Sequence, residues 1–386
     1  MRLLTILTIL YCFFFIGNNI DFYPRELNHT IVANASNTRN ETYKTDQVFK
    51  QYYNLKKALE KYQTINKNGG WETIVCDKQS ALMYGSKSPT IAAVRKRLFA
   101  EQFLQTDSRS IYFDKELLVA LERYQNKHNL STDSIISNSL IASMNIPIEG
   151  RIKTIEVNLE RCRLIEPDTT GTYIAVNIPA FKLFYFREGQ LILDSKVVVG
   201  KEATKTVVFN GLMTQIIFRP YWNIPNSIAQ KEVLPAVRKY PKLFSLMRLE
   251  WHNGKLRQKP GPSNALGLVK FVFPNSNNIY LHDTPLKAYF KEEKRAFSHG
   301  CIRVEKACEL ATAIMQNDFG WTEQQTIAAM ASGNQKAYNL KTKIPVYIAY
   351  FTAWADDEGN VSFYPDLYGH DAKLINLLSA EKVTTR

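Results

Sequence analysis

The sequence predicts a mainly β domain with a few helices and a helical insertion, preceded by a small α-helical module. Two observations carry this. From about Gly171 apolar residues alternate with a period of two, in segments rich in β-branched and aromatic side chains such as "TYIAVNIPAFKLFYFREGQLILDSKVVVG". Before that point apolar residues recur at helical spacing, with helix-start signals such as the Ser-Pro at 88–89. A chain of 386 residues, 45% of them hydrophobic, is long enough for two or three domains with a substantial core.

Taken in order, Met1-Arg2 is followed by the uncharged apolar run Leu3–Gly17. It reads as an uncleaved membrane anchor or as a removed signal peptide, residues 1–19. Residues 20–85 begin with the polar tether "NHTIVANASNTRNETYKTD" and continue as a helix, "QVFKQYYNLKKALEKYQTI", stopped by "NKNGGW". Residues 86–147 form the helical module. Ile91, Val94, Leu98 and Phe103 line one helix, Leu117, Leu118, Leu121 and Tyr124 the next, and "SNSLIASMNIP" closes it. Residues 148–170 are a connector helix. The β domain spans 171–350, with "REGQ" as a hairpin turn and a helical insertion at 226–262. Within it "CIRVEKACELATAIM" predicts a helix over 302–315, with Val304, Cys308, Ala311 and Met315 on one face. Residues 351–386 hold a late hairpin through "DDEGN" and a tail.

The formal charge of +13 describes a solvated basic surface or attraction to an anionic polymer. Nucleic acid is disfavoured, because the chain has no finger, RNP-like or basic-helix motif. The five cysteines are an odd number, so an exported chain leaves at least one thiol unpaired or paired elsewhere. Cys12 lies in the apolar run. Cys76, Cys162 and Cys308 read as core residues or as partners of one another.

Cys301 differs. It lies in "YLHDTPLKAYFKEEKRAFSHGCIRV", residues 280–304, with His282 and His299. These three residues read as buried structural groups, as zinc ligands, or as a nucleophile and its base. The third reading accounts for most of the stretch. A thiol attacks as thiolate, and an imidazole or a helix N-terminus lowers its pKa. Cys301 directly precedes the predicted helix. Gly300 allows close approach of a carbonyl, and the N–H groups of Gly300 and Cys301 suit an oxyanion hole. His282 ends the apolar strand "NIYLH", a rigid mount for an imidazole.

"HDT", fifteen residues between His282 and Ser298, then "SHGCIR" resembles the signature of the L,D-transpeptidase (YkuD-type) catalytic domain. "VVVGK", "PYWNIPNSIAQKEVLP", "LRQKPGPSNALGLVKFVFPN" and "YFTAWADDEGNVSFYPDLYG" resemble the larger YcbB-type branch. "GGWETI" and residues 86–147 occupy the places of that branch's N-terminal region and peptidoglycan-binding-like module. The resemblance implies a YkuD-like β-sandwich, a membrane-anchored or periplasmic enzyme of the cell envelope, and peptidoglycan stem peptides as substrates. It implies Cys301 as nucleophile, His282 as proton acceptor and donor, Gly300 in the oxyanion hole and His299 as an auxiliary group or a structural one. Arg303 either pairs with a substrate carboxylate or braces its loop. Ser298, Tyr221, Trp222 and Asn223 are the further candidates for substrate contact, the aromatic pair reading equally as core. It also implies acylation by carbapenems, and nothing in the chemistry calls for a metal or organic cofactor. The module departs from the pattern: "STDSIISNS" stands where a glycine-rich turn is usual, so weak glycan binding or a spacer role is expected.

Overall fold

The computed structural model describes residues 50–75, 81–163, 171–331 and 333–376. The apolar run 3–17, Cys12 and Cys76 lie outside them. Among the described residues no helix is long and apolar enough to cross a membrane.

The helical module forms on its predicted signals. Ser88 Oγ accepts from the Thr90 N–H to cap helix Pro89–Ala100, and Asp114 Oδ1 accepts from the Leu117 N–H to cap helix Lys115–Lys127. With helix Asn138–Met144 they enclose Ile91, Val94, Leu98, Leu117, Leu121, Tyr124 and Met144. A two-stranded pair missed by periodicity, β1 (Ala81–Leu82) and β2 (Ile136–Ser137), closes the unit. The turn lacking glycine is held by side chains instead. Ser134 takes φ 60°, its N–H donates to Gln125 Oε1, and Gln125 Nε2 donates to Asp133 Oδ1.

Three segments that sequence reading separates share one core. Helix Lys50–Lys67, helix Ile148–Arg163 and the last hairpin bury Leu55, Ala58, Ile155, Cys162, Phe351, Val361 and Phe363 together. Buried His128 accepts from the Phe363 N–H at 3.2 Å, joining the module to that hairpin.

The β domain begins with β3 (Tyr173–Asn177), β4 (Lys182–Arg187), β5 (Gln190–Gly200) and β6 (Phe209–Phe218). The insertion then supplies β7 (Trp222–Asn223), β8 (Leu249–His252) and β9 (Lys255–Gln258). The chain returns as β10 (Val269–Val272), β11 (Leu281–His282), β12 (Ala296–Ser298), β13 (Ile302–Val304) and β14 (Lys336–Ala349). The last hairpin is β15 (Ala353–Ala355) and β16 (Val361–Phe363). The main sheet runs β12-β5-β13-β11-β10-β6-β14-β3-β4, and β4 also pairs with β5. The mainly β class is as predicted. Its hydrogen bonding closes into a ring instead of separating into two sheets.

Two expectations are corrected. The insertion is not purely helical: around Asn226–Lys239 and Leu243–Leu246 it builds the three-stranded sheet β7-β9-β8, with its own core of Ile224, Val233, Leu249 and Leu256. The signal was present in the Asn253-Gly254 turn joining β8 and β9, whose φ values are 49° and 72°, the same double positive-φ hairpin as Glu188-Gly189. Second, the helix predicted over 302–315 starts only at Ala307. Residues 302–304 are β13, parallel to β11 and antiparallel to β5. Pairing on both sides outweighs local helical spacing, and burial there alternates with period two.

Candidate active site

The site is built on three neighbouring strands. Lys270 pairs with His282 across β10 and β11, and His282 with Arg303 across β11 and β13. These three side chains therefore form one row on one face. The Ile302 N–H donates to the Tyr280 carbonyl at 3.1 Å, which sets Cys301 beside Tyr280 in the next row. Leu281 and Ile302, alternate along the strands, point into the core. The Tyr280 ring bridges the group. Its centroid lies 5.6 Å from that of His282, and its hydroxyl faces the Cys301 sulfur.

His282 is 4% exposed, and its Nδ1–H donates to the Asp283 carbonyl at 2.5 Å. A carbonyl only accepts, so Nδ1 carries the proton and Nε2 is left as the base. The Asp283 carboxylate accepts from the Leu268 N–H at 2.9 Å and from Lys287 Nζ at 2.7 Å. These bonds fix the carbonyl that orients the imidazole. Gly267 is required beside it, because a Cβ there would collide with that carboxylate. Burial first, then the Arg303 charge, lowers the His282 pKa to about 3.

The Cys301 thiol is half-buried and donates to the Asn278 carbonyl at 3.6 Å. Burial pushes its pKa up. Hydrogen bonds from Tyr280 and the charges of Lys270 and Arg303 pull the other way. This corrects the expected helix-lowered thiol: β13 lies between Cys301 and helix Ala307–Phe319, and the dipole effect is confined to a helix's first turn. At rest both partners are neutral.

The loop carrying Cys301 is pinned by hydroxyls. Ser298, 2% exposed, donates to the Cys301 carbonyl at 2.5 Å and accepts from the Gly300 N–H at 3.1 Å. Its side chain thus braces the loop. The same bond engages the Gly300 N–H expected in the oxyanion hole. Gly300 sits at φ 110°, a conformation that suits glycine. Thr206 donates to the Gly300 carbonyl at 2.8 Å, and Thr204 to that of Ser298 at 3.0 Å. His299 projects outward, and its Nε2–H donates to Glu232 of the insertion at 2.7 Å. Arg303 lies with its Cζ 5.7 Å from the Tyr289 ring centroid.

Tyr221, Trp222 and Asn223 belong to the insertion's sheet and its flank. Trp222 packs on the insertion's core, Arg257 Cζ sits 4.0 Å over the Tyr221 ring, and Asn223 is exposed on β7. Pairing of β7 with β9 claims this strand for the insertion's own sheet. Sequence reading missed Lys270, Asn278, Tyr280 and Glu232. The alternation of "VKFV" and "IYLH" was the available signal for Lys270 and Tyr280. Cys162, Cys301 and Cys308 are free thiols. Among the described residues no group of three or more His, Cys, Asp or Glu is placed to hold a metal ion.

Residues 171–348 match the YkuD family, the L,D-transpeptidase catalytic domain. The match spans the β domain. A Haemophilus influenzae protein assigned by name to the L,D-transpeptidases is 34% identical over 241 residues, covering 57% of this chain and 48% of that one. The chain thus spans about half the length of that relative. Among solved structures, the Stackebrandtia nassauensis L,D-transpeptidase aligns at 11% identity and a TM-score of 0.28, over 71% of this chain and 97% of that one. The Mycobacterium smegmatis L,D-transpeptidase aligns at 11% identity and a TM-score of 0.24, over 46% and 58% respectively.

Proposed function

We propose that the chain is a peptidoglycan L,D-transpeptidase that joins stem peptides through a thioester on Cys301. The observation that supports this most is the single-face arrangement of His282 and Cys301 within the YkuD domain, with His282 Nε2 left as a base by the Asp283 carbonyl. Cys301 Sγ attacks the carbonyl carbon of the third stem residue while its proton passes to His282 Nε2. The C–N bond to the terminal D-alanine then breaks, and the leaving amine takes that proton. The amine of a neighbouring stem attacks the thioester and gives up a proton to His282 Nε2, which returns it to the expelled Cys301 sulfur, and a 3→3 crosslink results. Oxyanion stabilisation by Gly300 requires its N–H to turn from Ser298 Oγ as the tetrahedral centre forms. Arg303 receives a substrate carboxylate. The work is done in the cell envelope, on the periplasmic side, with the run 3–17 as anchor or export signal.

The test is incubation of the soluble part with purified stem peptides, followed by mass analysis. A dimer that is lost in Cys301→Ser supports the reading. A shortened monomer instead makes the protein an L,D-carboxypeptidase, and no turnover makes it a wall-binding protein that retains the fold. Carbapenem exposure followed by intact-mass measurement should place one adduct on the peptide bearing Cys301.

A further inference from the structure

Lys270 has no part in the mechanism above, yet its surroundings are unusual. It occupies the sheet row of His282, one strand further from Arg303, and is only partly exposed. Its Nζ lies 3.7 Å from the Tyr280 ring centroid. Among the described residues its ammonium has no carboxylate or hydrogen-bond partner, only that ring. An ammonium withdrawn from water without a counter-ion costs free energy, and its own pKa is lowered accordingly. The titratable and charged groups facing it and the thiol are Tyr280 just before β11, His282 on β11, Cys301, and Arg303 on β13. Arg303 and His282 cannot become anions, and burial pushes the Tyr280 phenol far up. Cys301 is the group that can supply the missing charge.

We propose that Lys270 is a positioning residue that favours the Cys301 thiolate, acting by its charge and through the Tyr280 ring that it caps beside the sulfur. The ammonium is best compensated when the sulfur is ionised, which is the form that attacks. It sits on a sheet strand, so its position is fixed before substrate arrives. The inference rests on the reading of Cys301 as nucleophile but not on the identity of the peptide substrate.

The test is the pH dependence of Cys301 alkylation by iodoacetamide, read by peptide mass, in the full soluble protein. In Lys270→Met the midpoint should rise by about one pH unit, and the rate at pH 7.5 should fall about tenfold. Lys270→Arg should keep most of the wild-type profile. Superimposable profiles for wild type and Lys270→Met would overturn the proposal. If Lys270→Met does not fold, the wild-type protein still decides. Coulombic coupling is mutual, so blocking Cys301 with the neutral carbamidomethyl group should lower the Lys270 amine pKa, seen as faster acetylation of that residue above pH 8. An unchanged acetylation rate counts against it. No stem peptide enters either measurement, so failure here and failure to crosslink are separate results.

Discussion

Glu232 and His299 meet across the boundary between the insertion and the catalytic loop, His299 Nε2–H donating to Glu232 Oε1 at 2.7 Å. The pair stands two residues from Cys301 in sequence on one side and in the helical part of the insertion on the other. Both side chains are about a third exposed, so the pair contributes at most about 1 kcal/mol. Glu232→Gln should therefore leave the midpoint of global unfolding nearly unchanged. It should speed amide exchange across 226–247 several-fold, as measured by hydrogen–deuterium exchange mass spectrometry. Equal exchange in both proteins would mean that the pair does not hold the insertion down.

Asp283 acts on His282 through its main chain. Asp283→Ala removes the acceptor for the Leu268 N–H and for Lys287. The imidazole stays, but its carbonyl partner loses its brace. Activity should fall by about tenfold to a hundredfold through misaimed chemistry, with kcat reduced more than KM changes. Asp283→Asn retains the Oδ1 acceptor and should recover part of it. Gly267→Ala should mimic Asp283→Ala and also lower stability, because its Cβ collides with the carboxylate.

Ser298 holds both ends of the turn that contains Gly300. Ser298→Ala leaves a buried N–H and a carbonyl without their partner, at a cost of about 1–3 kcal/mol. Thermal unfolding should record this. Ser298→Thr, which keeps a hydroxyl, should recover part of the loss.

Two buried histidines, His128 and His282, and the half-buried His370 predict acid sensitivity. Burial lowers His282 to about 3, lowers His370 to about 4, and holds His128 well below the usual imidazole range. Folded, each is neutral; unfolded, each takes a proton below about pH 6.5. The unfolded chain thus binds more protons, and stability falls as pH drops from about 6.5 towards 4. Asp371, raised by burial, opposes this. The urea midpoint should drop markedly between pH 7.5 and 5.0. His128→Gln should flatten part of that drop.

The candidate pair is legible in the sequence because its signal is local: His282, the bounded gap, and Ser298 to Arg303 lie within one short stretch. Strand and helix types were equally legible wherever one period dominates, as in β4, β5 and the capped helices of the module. Residues 302–304 were not. Their three positions fit either period, and only pairing with β5 and β11 made them a strand.

The sequence by itself determined the mainly β domain, the helical module, and which cysteine and histidine stand apart, because these follow from periodicity and residue chemistry over neighbouring positions. Tertiary structure alone decided the thiol's electrostatics. Burial of Cys301 and His282 outweighs any local preference and leaves both neutral. Sheet register then brings Lys270 and Tyr280 to the sulfur from positions that no linear spacing connects with Cys301. The same long-range pairing packs the first described helix against the last hairpin, since each buries an apolar face that neither can cover alone.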